Sequence, residues 1–459
     1  MADDNTTQCW LFPQLGVKPV TVRFDEERGS SDGGAVLLKA ADRRLRLTES
    51  LAECIRDHRD PTRIVHEIEE LLGQRVFAIS CGYPDGNDAA RLGADPVHKL
   101  LVGRDPIRGE DLASQPTLSR FENSVRRADL FRLGQALAER VIERHRERLG
   151  GRARIITIDL DQTDDPTHGA QQLALFNGYY DSWCYIPLLG FVSFNDEAEQ
   201  YLVASILRPG NAPDKLGALG LLRRLIERLR GAFPRASLRV RLDAGFSNPE
   251  LLDFLDAQGD VEYAVAMGKN RVLLKRAKKL MSTARRLSAK SKKTEHVYGE
   301  TLYAAGTWPQ RRRVIIKAEV VRQAGKEPKD NPRFVITNMR QTPRWVYERF
   351  YCRRGDVENR IKELHHGLEI DRTSCSSFFA NQFRVLLTAA AYVLMQELRL
   401  RAARSSCARA QVSTLRERLL KIGARVVVSV RRIVIHLPQT FPFQEVWTRL
   451  ALAFGAATG

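Results

Sequence analysis

Two aspartates close one apolar run of the chain and a third closes another. In Arg154-Ile-Ile-Thr-Ile-Asp159-Leu-Asp161-Gln-Thr163 the β-branched run predicts a strand, and the period-2 alternation of side chains puts both carboxylates on one face. In Leu238-Arg-Val-Arg-Leu-Asp243-Ala-Gly245 a second strand delivers a carboxylate at its C-terminal end, ahead of a glycine turn. Open α/β sheets bind ligands at such ends, although a lone strand-end Asp also serves as a loop cap. The third acidic position lies in Tyr351-Cys-Arg-Arg354-Gly-Asp-Val-Glu358-Asn-Arg-Ile-Lys362-Glu-Leu-His365. Helical spacing there sets Tyr351, Arg354, Glu358, Lys362 and His365 on one face. Alone, that face also reads as a surface ion-pair ladder. Three carboxylates on two strands and a helix can hold two divalent ions about 4 Å apart, one activating water or a hydroxyl and one stabilising the leaving oxygen. Hard oxygen ligands suit Mg²⁺ or Mn²⁺, and the cations beside Glu358 would grip phosphates.

Charge supports that chemistry. The 459 residues carry 73 Lys and Arg against 55 Asp and Glu, a net charge of +18. Such an excess points to a polyanion, most often nucleic acid, so the reading is phosphoryl transfer on DNA. Arg outnumbers Lys 57 to 16, a skew that GC-rich coding also produces. With 43% hydrophobic and 28% charged residues, the composition excludes disordered, collagen-like and disulfide-scaffold classes. Seven scattered cysteines without a Cys-x-x-Cys pair suggest neither a zinc site nor a disulfide framework, which fits a reducing cytoplasm. The opening Met1-Ala-Asp-Asp-Asn-Thr-Thr is acidic where a secretory signal would be basic. The longest apolar stretch, Val385 to Met395, is too short to span a bilayer and reads as a core helix, so no membrane partner is expected.

The elements that must position these residues fall into four regions. Residues 1–150 read as mostly helical after a strand near Val20 to Phe24, with helix starts at Asp60-Pro61 and at a Ser119-x-x-Glu122 capping box. A helix, a turn and a second helix between Pro96 and Arg127 would display Arg120, Asn123, Arg126 and Arg127. That pattern is compatible with a helix-turn-helix entering a major groove, and equally with a solvated basic helix. From 151 to 267 the predicted order is β-β-β-α-β-α-β. The strands are Ile155 to Asp161, Cys184 to Phe194, Tyr201 to Leu207, Leu238 to Leu242 and Glu262 to Met267, with helices over Lys215 to Ala232 and from a Ser247-x-x-Glu250 box. Residues 268–342 combine a lysine-rich stretch, Lys269 to Lys293, with three strand-like runs. The lysines suit a phosphate backbone or a solvated loop. A helix from Pro343 past Glu363 and an apolar helix from Phe383 to Leu398 complete 343–400, and 401–459 ends in a helix and a hairpin turning at Arg431-Arg432.

The sequence resembles the DDE transposases of bacterial insertion sequences. Their glutamate signature reads Tyr, two residues, Arg, three residues, Glu, six residues, Lys. Tyr351, Arg354 and Glu358 match its first three terms, and His365 stands at the Lys position, with Lys362 one turn earlier on the same face. Asp161-Gln-Thr163-Asp-Asp-Pro-Thr-His168-Gly, with Glu358-Asn-Arg-Ile-Lys-Glu363, is similar to the insertion-sequence group numbered thirteen-eighty. The resemblance implies an α/β fold with a ribonuclease-H-like mixed sheet, a β-rich insertion splitting it, and an N-terminal helical region that binds DNA. It implies a triad of Asp161, Asp243 and Glu358, with Asp161 preferred to Asp159 for its Asp-x-Thr step, and two Mg²⁺ or Mn²⁺ ions. It further implies cut-and-paste action on terminal inverted repeats and target DNA by a homodimer on the DNA ends. The 115 residues from Asp243 to Glu358 exceed the roughly 20 to 30 that a strand and its connection need, consistent with an insertion. In relatives a tryptophan of that insertion stacks on a flipped base, and Trp308 is the candidate here.

Two rival classes remain at this stage. Asp159-x-Asp161-x-Thr163 is also similar to the nucleophile motif of haloacid-dehalogenase-type phosphatases, in which Asp159 would form the aspartyl-phosphate. That class needs a later strand ending in paired acids, and Asp243 stands alone on its strand. The other rival is a catalytically silent DNA-binding protein, a repressor or architectural factor. No Gly-x-Ser-x-Gly or phosphate loop occurs, and His66-Glu67 lacks the second His of a zinc protease.

Overall fold

The computed structural model describes residues 10–12, 15, 17–195 and 197–457; Cys9 and the acidic opening Met1 to Thr7 lie outside them. A short strand pair, Trp10–Phe12 with Val20–Val22, precedes a helical region. Its main helices are α1 (Val36–Leu45), α2 (Ile68–Cys81), α3 (Gln115–Ser124) and α4 (Arg127–Leu149). The helix starts differ from expectation. Asp60 caps only the single turn Pro61–Arg63, and α2 opens instead on a Glu67–Glu70 box. Ser119 lies inside α3, whose N-cap is Ser114 because a proline sets the first turn. Glu122, free of any capping duty, is buried between Arg75 Nε at 2.8 Å and Arg384 Nε at 2.7 Å. The expected helix-turn-helix is not built by the Pro96–Leu101 helix and α3. Residues 102–114 separate them, where that motif uses a turn of about three to four residues.

A nine-stranded sheet organises the middle of the chain. In chain order come β1 (Ile155–Gln162), β2 (Leu175–Asn177), β3 (Ser182–Tyr185), β4 (Leu188–Phe194), β5 (Tyr201–Ile206), α5 (Ala218–Ala232), β6 (Ser237–Leu242), α6 (Pro249–Ala257) and β7 (Val261–Met267), of which β2 and β3 pair with each other in a small separate sheet. The expected strand from Cys184 to Phe194 is interrupted at Ile186-Pro187, since proline has no N–H to give a ladder. Asn248, with Pro249 behind it, caps α6 in place of Ser247. In the sheet β5, β4 and β1 pair antiparallel, whereas β1, β6 and β7 run parallel. The interior of β1 is buried on both faces, with Ile156, Ile158 and Leu160 on one and Thr157, Asp159 and Asp161 on the other.

The lysine-rich stretch is a helix, α7 (Arg271–Ser291). Leu273, Ala277, Met281, Ala284 and Ser288 form its buried stripe, and it packs on β8 (Glu295–Tyr303) and β9 (Arg312–Val321). Strand β10 (Arg333–Thr337) pairs antiparallel with both β9 and β7. The three strands anticipated as an insertion domain over 268–342 therefore extend the main sheet, covering the edge that β7 would otherwise expose.

From Pro343 to Leu368 the chain is helical but changes pitch. A π turn spans Val346–Phe350, a 3₁₀ turn spans Tyr351–Arg354, and α8 covers Gly355–Leu368. Helix α9 (Phe378–Arg401) alone among the described residues is long and apolar enough to cross a membrane. It is buried against α1 to α4 and β5, as a core helix. The hairpin β11 (Ala424–Val428) and β12 (Ile433–His436) pairs with Gly29–Ser30, so distant parts of the chain share one small sheet.

Candidate active site

Strand register brings the first two carboxylates together. Arg241 on β6 is aligned with Asp159 on the parallel β1, and Asp243, the residue that follows β6, leaves the sheet at the same end as Asp161. The helical segment supplies the rest. Tyr351 and Arg354 share a face of the 3₁₀ turn, whose side chains at i and i+3 eclipse, and Glu358 stands in the first turn of α8. Asp161, Asp243, Arg354, Glu358 and Lys362 line one cavity of about 660 Å³.

The electrostatics of this cavity are those of crowded acids. Burial pushes the Asp161 carboxyl up to about 6; Arg354 opposes the shift and Asp243 adds to it. Asp161 Oδ2 accepts a hydrogen bond from Arg354 Nη1 at 2.7 Å, and its Oδ1 accepts from the Gln162 N–H at 3.0 Å. Asp243 is likewise raised by burial, with Arg354 holding it down and Asp214 pushing it up. Its Oδ1 accepts from the Gly245 N–H at 2.9 Å. Burial also raises the Tyr351 phenol, against the pull of Arg354. Asp161 is buried, Asp243 half-buried and Glu358 exposed, and all three offer the hard oxygen donors that suit a divalent cation.

The other aspartate of β1 is differently placed. Asp159 is fully buried and held by a two-pronged contact from Arg241, Nε to Oδ1 at 2.8 Å and Nη2 to Oδ2 at 2.7 Å. Arg241 Nη1 also donates to the Phe350 carbonyl at 3.1 Å, tying β6 to the π turn that leads into Arg354. A phosphatase nucleophile at Asp159 would need to be reachable, and this one is sealed.

His365 does not join the cavity. Its Nε2 meets Thr163 Oγ1 at 2.9 Å and its Nδ1 meets Asp371 Oδ2 at 3.2 Å, so it braces the exit of β1 beside a neighbouring cleft. Lys362 therefore takes the cavity position that the spacing left divided between the two. Trp308 is packed, only 9% exposed, edge-on to Tyr303 at 5.5 Å and under Arg312 at 4.9 Å, which corrects its reading as a free stacking ring. Arg120 and Arg126 are exposed at the junction of α3 and α4; Arg120 Nη2 reaches Thr117 Oγ1 at 3.1 Å, and the Arg126 N–H donates to Asp129 at 3.0 Å.

Four further lining residues escaped the sequence reading. Asp214 lies in an unpatterned loop, where its Oδ1 accepts from Gln162 Nε2 at 2.7 Å. A side chain at position 245 would put its Cβ 1.9 Å from Asp214 Oδ2, so Gly245 is required for this approach. Asn177, Tyr179 and Tyr180 reach the cavity from the β2–β3 hairpin. The only prior signal for these was the Tyr179-Tyr180 pair after Gly178, a turn-like step.

An acidic cavity at the ends of two parallel strands, in a chain of charge +18, defines an enzyme built for a phosphate polymer. The family model for the transposase DDE domain group 1 matches residues 12–455, and the chain belongs to that family. It is thus a DDE transposase, an enzyme acting on DNA, of a kind that uses divalent metal ions. A cryo-EM structure of a piggyBac transposase synaptic complex with hairpin DNA aligns over 94% of this chain and 84% of its own, at 8% identity and a TM-score of 0.39. No curated protein sequence matches the chain.

Proposed function

We propose that the chain is the transposase of a bacterial insertion sequence, acting in the cytoplasm as a homodimer on terminal inverted repeats by cut-and-paste. The observation that carries this reading is that Asp161, Asp243 and Glu358, from two strand ends and a helix, line one cavity together with Arg354 and Lys362. The strand order β5-β4-β1-β6-β7, antiparallel then parallel, supports a ribonuclease-H-like core.

In this reading the three carboxylates would hold two divalent ions, Mg²⁺ or Mn²⁺. Such ions make water or a 3′ hydroxyl a stronger nucleophile and stabilise the departing oxygen. The protein's own share is positioning. Arg354 orients Asp161 through their 2.7 Å contact and dilutes the repulsion between Asp161 and Asp243. The exposed Lys362, one turn beyond Glu358, offers its ammonium to a phosphate flanking the scissile bond. Hydrolysis of a P–O3′ bond leaves a 5′-phosphate and a 3′ hydroxyl; that hydroxyl then attacks a target phosphate in the same cavity, and as the new P–O bond forms the target's own P–O3′ bond breaks and releases its 3′ hydroxyl.

The test is excision of a marked DNA segment bounded by the gene's own flanking ends, in Mg²⁺, by wild type and Asp243→Asn. Excision by wild type alone supports the reading. Tight end binding with no excision by either protein favours a silent DNA-binding protein. Asp161→Ala and Glu358→Ala are expected to bind ends without cutting them, and cleavage retained in either would remove that residue from the triad.

A further inference from the structure

Tyr179 is 88% exposed, yet the turn that carries it is tightly held. Asn177 Oδ1 accepts from the N–H groups of Tyr179 at 3.0 Å and Tyr180 at 3.3 Å, and Asn177 Nδ2 donates to the Gly210 carbonyl at 2.7 Å. Gly210 is pressed so closely on the hairpin that a Cβ there would stand 2.2 Å from the carbonyls of both Leu175 and Cys184. Asp181, at φ 52°, closes the turn in the left-handed region that an Asp tolerates. A fixed tip thus presents two phenol rings, 4.9 Å apart and edge to face, beside the carboxylates. On the hairpin's exposed face Phe176 and Trp183 form a cross-strand pair at 6.3 Å. Aromatic surface kept in water on a rigid support is the mark of a binding surface.

We propose that the Tyr179–Tyr180 tip stacks on unpaired bases adjoining the scissile phosphate, holding the DNA end frayed in the cavity. Burial and the nearby Asp164 raise the Tyr180 phenol, so its contribution to the tip is an uncharged ring. The cations Arg354 and Lys362 in the same cavity lining take the phosphates, leaving the rings for base faces. A paired duplex shows those faces only at its last step, so the ligand is single-stranded or opened DNA. This role presupposes the phosphoryl-transfer reading of the cavity and adds to it a preference for melted ends.

The test is fluorescence anisotropy of the full chain with two labelled strands, a 12-nucleotide oligothymidylate and a 12-nucleotide abasic strand of equal charge. Wild type is expected to bind the base-bearing strand about 5- to 100-fold more tightly. Tyr179→Ala with Tyr180→Ala should bring that ratio towards one while leaving abasic binding unchanged; Tyr179→Phe should keep it. A wild-type ratio near one overturns the proposal, as does an unchanged ratio in the double alanine variant. The excision assay reads the other reading separately. Excision without base preference sinks the stacking role alone, whereas base preference without excision sinks the phosphoryl-transfer reading and with it any role at a scissile phosphate, leaving the tip a single-strand contact only.

Discussion

Arg241 and Arg354 each serve one of two aspartates spaced two apart on β1, and their surroundings give them opposite jobs. Asp159 has no route to water, so losing Arg241 strands a buried charge. Arg241→Met is expected to destabilise the protein by about 3–5 kcal/mol, read in denaturant unfolding. Asp161 opens on the cavity, where water or a cation can replace the guanidinium. Arg354→Gln should therefore lower strand cleavage at least about 100-fold, consistent with the loss of one preorganised charged group, with a smaller fall in Tm than Arg241→Met. The reverse ranking of the two Tm losses would make Arg354 a structural strut and revive the ion-pair ladder.

At the scale of elements, the loop leaving β1 is tied to the segment before α9 by one titratable contact. Thr373 Oγ1 donates to Asp165 at 2.8 and 2.9 Å, and Asp165 is buried with its carboxyl held well above the usual carboxylate range by that burial. The unfolded chain releases this proton near the ordinary Asp value and the folded chain only at higher pH. Stability is thus fully present at low pH and is lost as pH rises from about 4 towards the folded value, by about 1.4 kcal/mol per unit from this group. Asp165→Asn, which keeps an oxygen for Thr373, should raise Tm at pH 7 and give no advantage at pH 4. An equal Tm for both proteins at pH 7 would show Asp165 ionised without penalty.

At the scale of the molecule, α7 lays an acid-free basic face along one end of the sheet. Its 21 residues include Arg271, Lys275, Lys278, Lys279, Arg286 and Lys290, exposed opposite the buried stripe. If DNA runs along this face, Lys278→Ala with Lys279→Ala should weaken binding equally for all sequences and reduce the slope of log K against log salt by about 2. An unchanged slope would leave α7 a solvated cover for β8 and β9. The legible part of the molecule was local. Apolar runs ending in Asp161 and Asp243 and the spacing of Tyr351, Arg354 and Glu358 identify the chemistry, because strand period and helix pitch are properties of short segments. Capping signals at Ser119 and Ser247 misled because prolines at neighbouring positions set the helix starts. The joining of β8 to β10 to the main sheet depends on which edge of β7 is left open, and no local pattern encodes that. Likewise, His365 against Thr163 and Tyr179 beside Asp161 are meetings of distant segments. The sequence by itself determined the reactive groups and the elements that carry them. Only the tertiary structure decided which of those groups face one cavity, because register across a parallel pair and the docking of a helix on strand ends are set by long-range packing.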